Sequence, residues 1–166
     1  MSNAFSALKA SALSGLFSSE EEKEMGLDMY LMRRHHIANY KHDKEGQKLA
    51  KAICKAMGFK DGSFSLDVPV AYWRKANAIH GWFVKHVQNG RDDCGEYYVS
   101  KEQLKALRDL CQAILDGKKS KEEMPPIGVF FLYYKEDLRG TVTKLDAVLN
   151  SPDTSERTSF YYNSSW

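Results

Sequence analysis

Asn77 and His80 stand three residues apart within "YWRKANAIHGWFVKHV", residues 72–87, among aromatic and aliphatic side chains. An asparagine amide both donates and accepts hydrogen bonds, and a neutral imidazole does the same. Trp73 adds a stacking face. Arg74 adds a guanidinium whose long stem reaches a phosphate or carboxylate at a pocket rim. Together these four residue types suit the capture of a small anionic or nucleotide-like molecule. A plainer reading stays open: a buried histidine is often satisfied by a backbone carbonyl or a tyrosine and has only a structural role.

The second candidate follows directly. In "NGRDDCGEYYV", residues 89–99, two glycines bracket Arg91, Asp92, Asp93 and Cys94, and Tyr97 lies just beyond. Asp92, Asp93 and Tyr97 would belong to a polar lid or specificity loop folded over the end of the histidine helix; otherwise the segment is a solvated turn. A Cys94–His80 thiol pair would be the nucleophilic alternative, because a thiolate needs a nearby base. The spacings of His80, His86 and Cys94 match no usual zinc pattern. Nor is there a Walker loop, a GxGxxG or a nucleophile elbow. No catalytic residue, metal or cofactor is therefore assigned. "RRHH", residues 33–36, with Lys41 and His42, is a basic patch, read either as a solvated strand end or as a contact for an anion.

The elements that must position these residues alternate between helix and strand spacing. "MGLDMYLMRR" places Leu27, Met29 and Leu31 on one side, which is strand periodicity. Residues 44–57 carry Leu49, Ala50, Ile53, Cys54 and Met57 at helical spacing, with Gly58 as a stop. "DGSFSLDVP" reads as a loop, in which Asp67 caps and Pro69 opens a helix running to about Val87. At about 100° per residue, Arg74, Ala78, Gly81, Lys85 and Gln88 share the solvent stripe of that helix. Tyr72, Ala76, Ile79, Phe83 and Val87 share the opposite one. His80 falls in the apolar stripe beside Trp73 and Val84, with Asn77 at its border. "EYYV" is a short strand, and Ser100 and Gln103 form a capping box opening the next helix, which Gly117 ends. "MPPIG" is a turn, "VFFLYY" is β-prone, residues 135–149 are helical, and "FYYNSSW" alternates as a closing strand. The predicted fold is α+β: a small, mostly antiparallel sheet packed with about four helices in a single domain.

Composition sets the outer bounds. The chain has 166 residues, 43% hydrophobic and 28% charged, with 24 basic against 22 acidic side chains. Such a chain holds one sizeable core. The near balance of charge disfavours a nucleic-acid backbone as main partner. No apolar run approaches the roughly 20 residues of a membrane span, so no membrane partner is expected. Cys54, Cys94 and Cys111 are an odd set at irregular spacing, as for free thiols in a cytoplasm. Residues 1–24 read as a flexible or docking extension, separated by "SSEEEKE" from a domain at residues 25–166. Nine tyrosines beside apolar walls suit a pocket for a ring-bearing polar molecule.

"MGLDMYL" at 25–31, "YWRKANAIHGWFVKHVQNGRDDCGEYYVS" at 72–100 and the closing "FYYNSSW" together resemble a family of small bacteriophage and prophage proteins that has no established activity. The resemblance spans most of residues 25–166. It departs in the segment before Met25, in Asn163 where a glutamine is usual, and in a shorter region after "VFFLYY". It implies a phage origin and the cytoplasm of an infected bacterium. Within that setting three functions stay open: capture of a nucleotide-like host immune signal, blocking of a host protein, or a small hydrolase using Cys94 or His80. Self-association into a homo-oligomer also stays open.

Overall fold

The computed structural model describes residues 26–125, 133–152 and 158–166. Four strands and four helices appear in the order β1 (Asp28–Ile37), α1 (Lys44–Met57), β2 (Phe64–Arg74), α2 (Asn77–His86), β3 (Tyr97–Val99), α3 (Lys101–Leu115), α4 (Tyr134–Leu149) and β4 (Thr158–Ser165). A single antiparallel sheet has the order β2-β1-β4-β3. The α+β expectation holds. The extension at 1–24, most of "VFFLYY" and part of "SPDTSERT" lie outside the described residues; Tyr134, the last residue of "VFFLYY", opens α4.

Alternation in β1 sorts its side chains. Met29 and Leu31 are fully buried and meet Ala71 and Trp73 of β2 and Phe160 and Tyr162 of β4 in one core. Helices complete it with Ile79 and Phe83 from α2, Leu104, Leu107 and Cys111 from α3, and Leu138 and Leu145 from α4. Burying each such side chain stabilises by about 1.5–3 kcal/mol, offset by the entropy of ordering it. The opposite sheet face carries Tyr30 beside Tyr72 and Tyr98 beside Tyr161, with ring centroids 5.1 and 6.0 Å apart. All four are half-buried or exposed.

Local signals fix two helix ends as expected. Ser100 and Gln103 form the reciprocal capping box of α3. Gly58 ends α1 at φ 75°, the left-handed region that favours glycine. Asp43 caps the start of α1 by accepting from the Gly46 amide at 2.8 Å. Leu49 and Met57 of α1 do not turn inward as their spacing suggested. Both are exposed, and the helix buries only Gly46, Ala50 and Cys54.

The helix expected from Asp67 is a correction. Residues 64–74 form β2, and α2 spans only Asn77–His86. Val68, Val70, Tyr72 and Trp73 are β-prone residues, and β2 is an edge strand, where a proline is tolerated. Pro69 sits beside the bulge where the β1–β2 register shifts. Asp67 caps nothing; its carboxylate takes both Nε and Nη2 of Arg34. Lys75, at φ 56°, makes the turn that separates strand from helix. The expected stripes shift accordingly: Tyr72 is exposed, while Ala78 and Gln88 are buried. Gln88 lies past the helix end, where its backbone N–H donates to the Phe83 carbonyl and the chain tucks inward.

The basic patch is largely engaged within the sheet. Arg34 binds both Asp67 and Glu96 and lies 4.2 Å over the Tyr161 ring. Arg33 donates to Ser151. His35 and His36 meet Thr158, Ser65 and Ser159.

Candidate functional site

The site is built where α2 crosses β4. Phe83 stacks on Tyr162, and one turn earlier His80 Nδ1 lies 2.7 Å from the Tyr162 hydroxyl. The other ring nitrogen, Nε2, lies 3.0 Å from Asp92 Oδ1. The result is a Tyr162–His80–Asp92 chain running from the core to the surface. His80 is buried and Asp92 is exposed. A carboxylate only accepts, so Nε2–H donates to Asp92, and in the tautomer that leaves Nδ1 without a proton that nitrogen accepts from the phenol. Burial pushes the Tyr162 phenol well above its ordinary range, which keeps its proton in place as that donor.

A cleft of about 460 Å³ opens beside this chain. Asn77, His80 and Asp92 line it with polar groups, Val84 gives an apolar wall, and Lys85 brings a cation. Gly81 and Gly90 leave the walls low. Gly90 has φ 80° and its neighbour Asn89 has φ 53°, so the chain turns sharply out of α2 and returns Asp92 over the cleft. Cys94, at φ 56°, closes the same loop and is exposed.

Of the residues singled out from sequence, the fold brings Asn77, His80 and Asp92 together. Asp93 and Tyr97 form an adjoining pair, with the Tyr97 hydroxyl 3.0 and 2.9 Å from the two Asp93 oxygens. Burial, then the bond to Asp93, pushes the Tyr97 phenol up. Neither residue lines the cleft. Trp73 and Arg74 stand elsewhere, because they belong to β2 rather than to the histidine helix. Trp73 is buried in the core, donates from Nε1 to Thr141 Oγ1 at 2.9 Å and meets Phe83 edge-on. Arg74 is exposed at the end of β2.

The plainer reading of His80, buried and satisfied by a tyrosine, agrees with the structure, although which tyrosine was not read; sequence reasoning missed Lys85 as a cleft cation and Trp166, whose ring lies 6.0 Å from His80. Trp166 is on the same side of β4 as Phe160 and Tyr162 by parity, yet it is half exposed, and its ring flanks the imidazole. The tyrosine richness was the available signal for Tyr162, although nothing local joins two residues 82 apart.

The arrangement can hold a ligand by hydrogen bonds with the Asn77 amide and to the Asp92 carboxylate, with a cation at Lys85. It departs from a nucleophilic triad. Both ring nitrogens of His80 are taken, and the place of a nucleophile belongs to a buried phenol. Comparison of the chain with family models, with curated proteins and with solved structures finds no match.

Proposed function

We propose that the protein is a phage accessory protein, working in the cytoplasm of an infected bacterium, that captures a small nucleotide-like host signal without chemical change. One observation carries the reading: the cleft beside His80 is lined by groups of both signs, Asp92 and Lys85, together with an apolar wall at Val84. A base edge with an amino group suits the Asp92 carboxylate, and a phosphate suits Lys85. The imidazole serves as a strut, since its nitrogens are satisfied within the protein. This favours capture over hydrolysis by Cys94 or His80.

The test is mass spectrometry of the purified protein after denaturation, followed by calorimetric titration of the molecule released. A nucleotide-like compound that binds stoichiometrically and returns unchanged supports capture. Its conversion to product, or tight binding that survives Asn77→Ala and Asp92→Ala together, overturns it.

A second reading, blocking of a host protein, draws on a different surface. The outer sheet face sets Tyr30, Tyr72, Tyr98 and Tyr161 in one open layer, and tyrosines are enriched in protein interfaces. Tyr98→Ala and Tyr161→Ala would abolish such an interaction while leaving the cleft and its ligand binding intact.

A further inference from the structure

A second concavity, of about 410 Å³, lies at the far end of α1 and shares no residue with the His80 cleft. Lys51 and Lys55 stand one helical turn apart on its wall. The left-handed turn at Gly58 then brings Phe59 and Lys60 back to the same rim, fixed by the Phe59 amide bonding the Cys54 carbonyl at 2.9 Å. Cys54, buried, forms the floor.

Three lysines thus line one hollow. Like charges one turn apart repel weakly at an exposed surface, and a bound anion would relieve that repulsion. Among the described residues, none of the three lysines forms an ion pair. The one carboxylate at the rim, Asp61, accepts from the Asn39 side chain at 2.6 Å and from the Gly62 amide at 2.8 Å, both at Oδ1, and offsets one of the three lysine charges, so the lining stays net positive. A favourable helix-end effect accounts for Lys55 in the last turn. It does not account for Lys51, a turn earlier, or for Lys60, beyond the helix. Beside them Phe59 is 54% exposed, and its ring rests on Phe64 at 6.4 Å and 23°. A large apolar ring held in the open next to unpaired cations offers a stacking plate adjoining a charge site.

We infer that this hollow is a binding site for a phosphate-bearing small molecule with an aromatic ring, the phosphate held by Lys51, Lys55 and Lys60 and the ring laid on Phe59. It is independent of the His80 cleft. Such a site binds by charge at a solvated rim, so its affinity falls as salt rises.

Calorimetric titration of the full chain tests it with two probes: pyrophosphate and adenosine monophosphate. Pyrophosphate is expected to bind saturably, and more weakly at high salt. The double variant Lys51→Gln, Lys55→Gln should weaken it about tenfold or more, while Lys51→Arg, Lys55→Arg retains it. Phe59→Ala should weaken the monophosphate several-fold and leave pyrophosphate alone. Asn77→Ala, in the other cleft, should leave pyrophosphate binding at its wild-type value, so failure of the capture reading does not imitate failure here. All substituted side chains are exposed or at a cleft surface, and far-ultraviolet circular dichroism confirms that each variant is folded. No saturable pyrophosphate binding, equal affinity in the double glutamine variant, or loss on Asn77→Ala alone would overturn the site.

Discussion

Phe83 and Tyr162 lie ring on ring, with centroids 3.9 Å apart and planes 7° from parallel. This stack clamps α2 to β4. It also sets His80, one turn before Phe83, at the height of the Tyr162 hydroxyl. Packing and polar recognition therefore share one aromatic ring, which makes Tyr162 the residue on which both can be tested.

Tyr162→Phe keeps the stack and removes the donor to His80 Nδ1. A lost buried hydrogen bond with an acceptor left unsatisfied costs about 1–3 kcal/mol. Tyr162→Ala also removes the ring and should cost roughly 3–5 kcal/mol. Chemical denaturation of both variants measures the two values; no loss in Tyr162→Phe would mean that the hydroxyl contributes nothing, and equal losses that the ring stack adds nothing beyond it.

Asn77→Ala and Asp92→Ala should differ from His80→Ala. Asn77 is half-buried and Asp92 exposed, so their replacement should lower affinity for a captured nucleotide about 5- to 150-fold with little change in melting temperature. His80 is buried with two partners, so His80→Ala should lower both affinity and stability. Paired titrations and melts separate the two groups. A large stability loss in Asp92→Ala would show that the loop is structural.

Asp137, in the first turn of α4, has its carboxyl pushed up to about 6 by burial, opposed by Lys144. The folded chain therefore holds this proton more tightly than the unfolded chain. The stabilisation is fully present below the ordinary carboxylate range and is lost as pH rises through about 6. With the side chain part-solvated and screened, the effect is on the order of 1 kcal/mol. Asp137→Asn should raise stability at pH 7 by that amount and change little at pH 4. Denaturation curves at the two pH values check the sign.

Removal of residues 160–166 should leave the chain insoluble or without cooperative unfolding. β4 lies between β1 and β3, so its loss divides the sheet and withdraws Phe160 and Tyr162 from the core. Unfolding at the wild-type temperature would overturn the central placement of this strand.

The parts of the fold legible in sequence are those governed by neighbours in the chain. The Ser100–Gln103 box, the Gly58 stop and the alternation of Met29 and Leu31 each depend on residues a few positions apart. β2 was not legible, because Asp67 and Pro69 fit a helix start as well as an edge strand. What decides between them is pairing with β1, which local spacing does not carry. The candidate site divides in the same way. Asn77 and His80 share a helix, and Asp92 follows in the next loop, so their proximity could be read. Trp73 was placed with them only through the mistaken helix, and its hydroxyl partner Thr141 is 68 residues away.

The position of β4 also dictates an order of assembly. β1 and β2 can zip together early, since only α1 intervenes between them. β3 pairs solely with β4 among the described strands, so it waits for that strand to arrive. Contacts between distant segments are slow to form, because loop closure must come before any pairing rewards it. A nascent chain therefore carries β1 with one edge bare until β4 is made. The phenol that orients His80 arrives on that same strand, so the cleft matures in the step that seals the sheet.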